Sequence, residues 1–411
     1  MNAPQFTTAL PTAAPHPDLL AAGAVRDLPA TGVQSHAANL TTLADGRLAC
    51  VWFGGTQEGL SDICVWFSTL TPGASAWSPP VRLSHDSARS EQNPILFTAP
   101  DGRLWLIHTA QRAGHQDTAV VRCRTSTDGG ATWDEPRDLL PGSGLFVRQP
   151  PLVRADGAWL LPVFRCRALP GLRWSGDDDD SVLFISHDQG ATWTVREVPH
   201  SLGAVHMNVV PGSQGPDHLL AFYRSRWADW VYRSESHDGG ETWSAPQPTP
   251  VPNNNSSVQV VRLASGRLAL VCNPVSAAHA TDRRVSLYDE IESEDDAANP
   301  LPEAGAANAG GRRLAFWGAP RAPMALLLSD DDGLSWPMRR DVETGDGYCL
   351  TNNSAEQRNR ELSYPSVHQG PDGRLQLAYT WHRQHIRHVV CDEAWAATLP
   401  ADAGLPLPTQ D

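Results

Sequence analysis

The residues best suited to do chemistry in this 411-residue chain stand directly in front of six apolar runs. They read Ser35-His-Ala-Ala-Asn39, Ser90-Glu-Gln-Asn-Pro94, Phe146-Val-Arg-Gln-Pro150, Val205-His-Met-Asn208, Asn253-Asn-Asn-Ser256 and Arg360-Glu-Leu-Ser-Tyr364. Tyr364 offers a nucleophile or proton donor, with Glu361 three residues before it to influence its proton. His36 titrates near neutrality and suits a general acid or base. Glu58 and Asp62, in the loop 54–62, are further acid/base candidates. Arg148, Arg165, Arg224 and Arg226 form a set of guanidinium groups in a chain of net charge −14, and that fork suits a carboxylate because it engages both oxygens. Gln92, Asn93, Asn208 and Asn254 are expected to hydrogen-bond hydroxyl groups of a ligand, and Arg112, Asp117 and His206 complete the candidate binding set. The acidic run Asp177–Asp180 is read as a solvated loop in preference to a calcium site.

Two interleaved repeats say which elements must position these groups. The pattern S-x-D-x-G-x-[ST]-W occurs at Ser126–Trp133, Ser186–Trp193, Ser236–Trp243 and Ser329–Trp336, with a degenerate copy at Pro72–Trp77. Between the copies lie six turn signals, Asp45-Gly, Asp101-Gly, Asp156-Gly, Asp217-His, Ser265-Gly and Asp372-Gly. Each separates two apolar, β-rich runs, which is a hairpin pattern. Six such units without long helical periodicity predict an all-β, six-bladed β-propeller occupying residues 1–411 as a single domain. The strand starts then converge on one axis and make a pocket. Residues 1–30 form an N-terminal extension or a ring-closing segment. The distance from Ser265 to Trp336 is about twice the others, so 277–321 is expected to be a surface insertion. Within each eight-residue repeat the Asp is expected to shape a turn and the Trp to be buried between sheets, so these are structural and not catalytic acids.

Composition narrows the partners. With 41% hydrophobic residues the chain can bury a core, and its negative charge argues against nucleic acid. No apolar run reaches 18 residues, which argues against a membrane span. The N-terminus lacks a basic segment followed by an apolar one, and the seven cysteines are scattered with no CxxC pair. Reduced packing cysteines, no metal, no cofactor and a cytoplasmic location are therefore expected. The oligomeric state is not legible.

The repeats resemble the BNR/Asp-box repeats of the sialidase (neuraminidase) superfamily, over about Ser35 to Val390. The resemblance implies a propeller of the sialidase type and a glycosidase acting on the terminal anionic sugar of a soluble glycan. It also implies an R-I-P start on the first blade, an acid in the loop after it, a Glu opening a middle blade, a Tyr opening the last, and an arginine triad for the substrate carboxylate. Tyr364 matches the tyrosine position. Glu58 or Asp62 stands for the acid, Ser35-His36-Ala37 replaces R-I-P, and Asn254 and Asn255 stand where the Glu would open the fifth blade. Two other readings accompany this one. The first is a propeller lyase that cleaves a uronic acid by β-elimination with His and Tyr. The second is a glycan-binding propeller without catalysis.

Overall fold

The computed structural model describes residues 13–398 except 285, 289, 292–312 and 352. Its strands form six antiparallel sheets in chain order, the blades of a six-bladed β-propeller. Blade one holds Gln34–Thr42, Leu48–Gly55, Cys64–Leu70 and Val81–Arg82. Blade two holds Ser90–Thr98, Leu104–Arg112, His115–Ser126 and Arg137–Asp138. Blade three is built on Trp159–Arg165 and Asp180–Ser186, with two short inner pieces, Leu145–Phe146 and Leu152–Val153, and an outer strand Thr194–Glu197. Blade four runs Ala204–Pro211, Leu219–Ser225, Trp230–Ser236, Gln247–Pro252. Blades five and six have inner strands Gln259–Arg262 and Leu362–Gln369, followed by Leu268–Cys272 and Leu375–Trp381. Their third strands are Met324–Ser329 and His385–Cys391.

The N-terminal segment closes the ring. Val25–Asp27 pairs with His385–Cys391 as the outer strand of blade six, and Ala14–Pro15 adds an edge strand to blade five beside Met338–Thr344. Closure matters because an unpaired third strand would leave a row of open amides.

The six predicted turns lie between the first and second strands. Gly46, Gly102, Gly157, Gly266 and Gly373 sit at φ between 80° and 91°, a region open to glycine at little cost. The preceding Asp or Ser accepts from the amide two residues on, as in Asp45 Oδ1 from Arg47 at 3.0 Å. The eight-residue repeats form a second set of turns. In the first, Ser126 Oγ accepts from the Gly130 amide, while Asp128 takes the amide and hydroxyl of Thr132 at 2.9 and 2.6 Å. Those hydrogen bonds to Thr132 pull the Asp128 carboxyl down to about 2. The other three copies repeat the geometry. Trp243 and Trp336 are buried as expected, whereas Trp133 and Trp193 are only half-buried. All seven cysteines are free and buried.

Side chains also clasp neighbouring blades near the axis. Asn39 accepts from the Leu96 amide (2.9 Å), Thr109 from Val147 (3.2 Å), Asn208 from Val260 (2.5 Å), Gln259 from Val367 (2.6 Å), and Ser366 from Leu40 (3.0 Å). These bonds satisfy inner-strand amides that no strand partner reaches.

Candidate functional site at the propeller axis

Four inner strands carry the same irregularity. In blades one, two, four and six the ladder gains one residue, between His36 and Asn39, Gln92 and Ile95, Val205 and Asn208, and Ser363 and Ser366. The first residue inside each bulge has positive φ: Ala37 at 60°, Asn93 at 47°, His206 at 55° and Tyr364 at 51°. Such a bulge re-aims a side chain, and for a bulky Tyr or His this backbone region is strained. His206 and Tyr364 therefore occupy equivalent positions in blades four and six.

Tyr364 lies at the centre of what these strands bring together. Its hydroxyl accepts from Arg224 Nη1 at 2.6 Å. The His36 ring packs on the tyrosine ring with centroids 4.3 Å apart, and the His206 ring lies edge-on at 5.8 Å. Arg148, Arg224 and Arg321 place their guanidinium carbons 5.5, 5.6 and 5.8 Å from the ring centroid.

Around this centre lies an ionic network. Glu361 Oε2 pairs with Arg321 Nη1 at 2.7 Å and accepts from the Cys349 thiol at 2.7 Å. Its other oxygen pairs with Arg383 Nε, and Arg383 Nη1 reaches Glu58 at 2.5 Å. Arg224 and Arg148 have no carboxylate partner among the described residues. Arg224 Nε donates instead to Asn255 Oδ1 at 2.7 Å, and its Nη1 lies 3.3 Å from His206 Nε2. Four buried guanidinium groups thus face two carboxylates. Arg224 Nη2 and Arg148 Nη1 have no hydrogen-bond partner among the described residues.

That excess of positive charge governs protonation. Burial, reinforced by Arg383, Arg321, Arg148 and Arg224, holds His36 well below its ordinary pKa. Burial and Arg224, followed by Arg226, Arg148 and Arg321, do the same to His206. His36 Nδ1 lies 3.9 Å from Glu361, close enough for an ion pair if protonated, but a buried imidazole beside four guanidinium groups stays neutral. Burial also lowers Arg148 and Arg224 to about 10, which leaves both charged at neutral pH. Arg383 and Arg321 keep Glu361 below the usual carboxylate range against the opposing effect of its burial. His36 Nδ1 is 2.8 Å from Thr380 Oγ1, and its Nε2 has no partner among the described residues. In the tautomer where Nδ1 donates to Thr380, Nε2 is an unengaged base.

Tyr364, His36, Glu361, Glu58, Arg148, His206 and Arg224 thus come together in one cluster. The other candidates do something else. Asp62 caps its own loop by accepting from the Thr56 amide at 2.8 Å. Arg165 is bound to Asp180 and Glu197 at 2.5–2.9 Å, away from the axis. Arg226 is buried beside the cluster, but Asp179 Oδ2 accepts from its Nε and Nη2 at 2.9 and 2.6 Å. Asn208 is an interblade clasp. Asn254 donates to Pro320 O at 2.7 Å and holds the segment that carries Arg321. Gln92 joins Gln116 around the Tyr288 hydroxyl, at 3.4 and 3.0 Å. Asn93 is buried at the bulge of blade two, Arg112 is exposed on its hairpin, and Asp117 is half-buried in the same loop.

The group facing Tyr364 from a middle blade is His206 of blade four, while Asn255 holds Arg224 Nε. Two expectations are corrected by burial and contact. The run Asp177–Asp180 is not a solvated loop: Asp179 is buried in its ion pair with Arg226, and Asp177 accepts from the Ala315 amide at 2.7 Å. Much of the described part of 277–321 is not a surface excursion, because Tyr288, Leu287, Ile291 and Trp317 are buried against Phe146, Phe164 and Trp174, although Ala278, His279 and 281–283 are exposed. Residues 292–312 of that stretch lie outside the described residues.

Sequence reasoning missed Arg321 and Arg383. The first closes the expected insertion, and the second follows a strand in a turn where His382 and Arg383 both have positive φ (51° and 58°). An arginine three residues before an apolar run was the available signal for Arg321.

Among the described residues one group elsewhere has metal-ligand spacing, His218, Glu235 and His237 on blade four. His218 Nδ1 accepts from the Gln214 amide at 3.1 Å, so Nε2 carries the proton and donates to Glu235 at 3.2 Å. That assignment leaves no imidazole lone pair of His218 for an ion, and Arg233 lies 3.3 Å from the same carboxylate oxygen.

Solved structures of similar shape include sialidases and trans-sialidases at low sequence identity. A Hadza microbial sialidase, Hz136, superposes with a TM-score of 0.64 at 12% identity, over 88% of this chain and 66% of its own. The NanB sialidase from Streptococcus pneumoniae gives 0.63 at 12%, over 90% and 70%. A leech intramolecular trans-sialidase complexed with 2,7-anhydro-Neu5Ac gives 0.62 at 14%, over 89% and 69%. This chain therefore spans about two thirds of the length of those proteins. No curated protein sequence matches it. Residues 46–377 match the model of the BNR repeat-like domain. With that match running through all six blades, and with a fold similar to that of solved sialidases, the chain belongs to the BNR repeat-like domain family.

Proposed function

We propose that the protein is an exo-acting glycoside hydrolase that cleaves the terminal anionic sugar of a soluble glycan at Tyr364. The observation that carries this reading is the phenol of Tyr364, held by Arg224 at 2.6 Å between two neutral imidazoles. Arg224 has no carboxylate partner among the described residues, and its Nη2, without a hydrogen-bond partner there, suits a substrate carboxylate. In the reaction, a neutral imidazole takes the phenol proton as the tyrosine oxygen bonds to the anomeric carbon. The glycosidic C–O bond breaks, and the departing oxygen takes up a proton from the imidazolium. Water then hydrolyses the tyrosyl glycoside and frees Tyr364. Glu361, clamped by Arg321, Arg383 and Cys349, sets the field around the ring and does not contact the hydroxyl.

One feature favours β-elimination as a second reading. The Tyr364 hydroxyl has no carboxylate contact among the described residues, and His–Tyr pairs suit abstraction of a proton next to a uronic carboxylate. There the C–H electrons form the new double bond while the C–O bond to the leaving sugar breaks, with no water added.

The test is a panel of aryl glycosides and acidic oligosaccharides with product masses recorded. Hydrolysis adds water across the cleaved bond, whereas elimination adds none and leaves an ultraviolet-absorbing unsaturated sugar. Turnover should fall by about 10²-fold or more in Tyr364→Phe. Turnover that survives this substitution intact would remove Tyr364 from the reaction. Because Ser35-His36-Ala37 brings no arginine to the axis from blade one, simple aryl sialosides should be poor substrates.

A further inference from the structure

Arg148 differs from the other arginines of the cluster in what it touches. It leaves blade three between Leu145–Phe146 and Leu152–Val153, and it is buried. Its Nη2 donates to three backbone carbonyls, Ala38 O at 3.0 Å, Tyr364 O at 3.1 Å and Pro365 O at 3.0 Å. Its Nε donates to Ser257 Oγ at 3.2 Å, just ahead of the inner strand of blade five. One side chain therefore joins blade three to blades one, five and six across the axis. The three carbonyls are not arbitrary, since they belong to the bulges of blades one and six, where Ala37 and Tyr364 hold positive φ. A bulge withdraws carbonyls from the ladder, and buried carbonyls without donors are costly. Arg148 meets that need.

We propose that Arg148 is a positioning residue that fixes the strained backbone of Tyr364 from beneath, and not a ligand of the substrate carboxylate. Its kinetic consequence rests on the reading of Tyr364 as the reacting group, but its structural consequence does not. Three donor contacts to the two bulges select one orientation of the phenol, the one that accepts from Arg224. Removing the guanidinium frees the Tyr364–Pro365 segment to rejoin the regular ladder and lets the ring take more than one orientation. The substitution Arg148→Lys keeps the charge and up to three donors on a shorter reach, so it should retain part of the order.

The experiment labels the six tyrosines with 3-fluorotyrosine and assigns the Tyr364 fluorine signal by its loss in Tyr364→Phe. Wild type should give one sharp Tyr364 signal. Arg148→Met should split or broaden it, Arg148→Lys should narrow it again, and Ser257→Ala should leave it unchanged. Trp336→Phe, remote from the axis, serves as the control for simple destabilisation and should lower the melting temperature without moving the signal. A single unshifted Tyr364 signal in folded Arg148→Met overturns the proposal, as does an equal disturbance in Trp336→Phe. If Arg148→Met does not fold, Arg148→Lys and Arg148→Gln decide, and a Tyr364 signal identical to wild type in both overturns it. Should a substrate be found, Arg148→Lys should lose about tenfold in kcat with KM nearly unchanged, because the affected step is reorientation of the phenol. A rise in KM alone would instead make Arg148 a substrate ligand. Failure of every substrate leaves the fluorine result standing, so the two readings fail separately.

Discussion

At the scale of single residues, the candidate site is a problem in excess charge. Arg148, Arg224, Arg321 and Arg383 bring four buried cations to one end of the axis, and only Glu58 and Glu361 answer them among the described residues. The two histidines cannot help by charging, since burial and those cations keep them neutral. If a neutral imidazole is the base, kcat/KM should be limited on the acid side by a group titrating well below pH 6.5. Replacing Arg224 with Leu removes the cation that depresses His206 most after burial itself, so the acid limb should move up toward 6.5. A pH–rate profile of both proteins checks this, and an acid limb at or above 6.5 in the wild type would sink the neutral-base mechanism. Tyr364, His36 and Arg224 were legible because each sits at a strand start or strand end that a propeller must aim at its axis. Arg165 and Arg226 were equally visible and were misassigned, because sequence does not reveal that Asp180, Glu197 and Asp179 already hold them.

At the scale of elements, a one-residue bulge separates the groups that face the cluster from those that do not. Asn208 lies two residues beyond His206 and looked equivalent to it in sequence. The bulge between Val205 and Asn208 turns His206 toward Tyr364 and leaves Asn208 to clasp the Val260 amide. Strand periodicity alone does not reveal a bulge whose positive-φ residue is not glycine, which is why this distinction escaped the sequence. The eight-residue repeats were read more completely, since turn, hydroxyl and tryptophan occur in all four. Their tryptophans are unequal, however. Trp243 is 6% exposed and packs with Leu160, Leu183 and Tyr232, while Trp133 and Trp193 are half-buried at the rims of their clusters. Trp243→Ala should cost about 3–5 kcal/mol, the range for a buried large aromatic. Trp133→Ala should cost clearly less, as measured by denaturant unfolding. Equal losses at both positions would mean that the turn network, and not burial of the indole, sets the contribution of each repeat.

At the scale of the whole molecule, stability and ring closure meet in blade six. His388, on the third strand of that blade, is held down to about 3 by burial and by Arg26 of the closing strand. A histidine that stays neutral when folded but titrates near 6.5 when unfolded binds fewer protons in the native state. Its contribution is complete above pH 6.5 and is lost progressively as pH falls below it, at about 1.4 kcal/mol per pH unit. His36 and His206 act in the same direction, so the melting temperature should drop between pH 6.5 and 5, before most carboxylates titrate. His388→Gln should reduce that pH slope while leaving the axial histidines untouched, and an unchanged slope would show that His388 does not refuse its proton. The strand that shields His388 also closes the ring. Val25, Arg26 and Asp27 pair with Val389, His388 and Arg387, and Asp27 binds Arg387 at 2.8 and 3.2 Å. Leu19, Ala24 and Leu28 enter the core from the same segment. The sequence showed six hairpin units and so required a closing strand, but a three-residue strand carries too little pattern to be located in advance. Deleting the chain up to Leu28 should expose the outer edge of His385–Cys391 and remove those apolar contacts together. The truncated protein should then self-associate and lose its single cooperative transition, as followed by sedimentation and calorimetry. A monomeric truncated chain that melts at the wild-type temperature would mean that the propeller is closed by packing between blades one and six, with the N-terminal strand as an accessory.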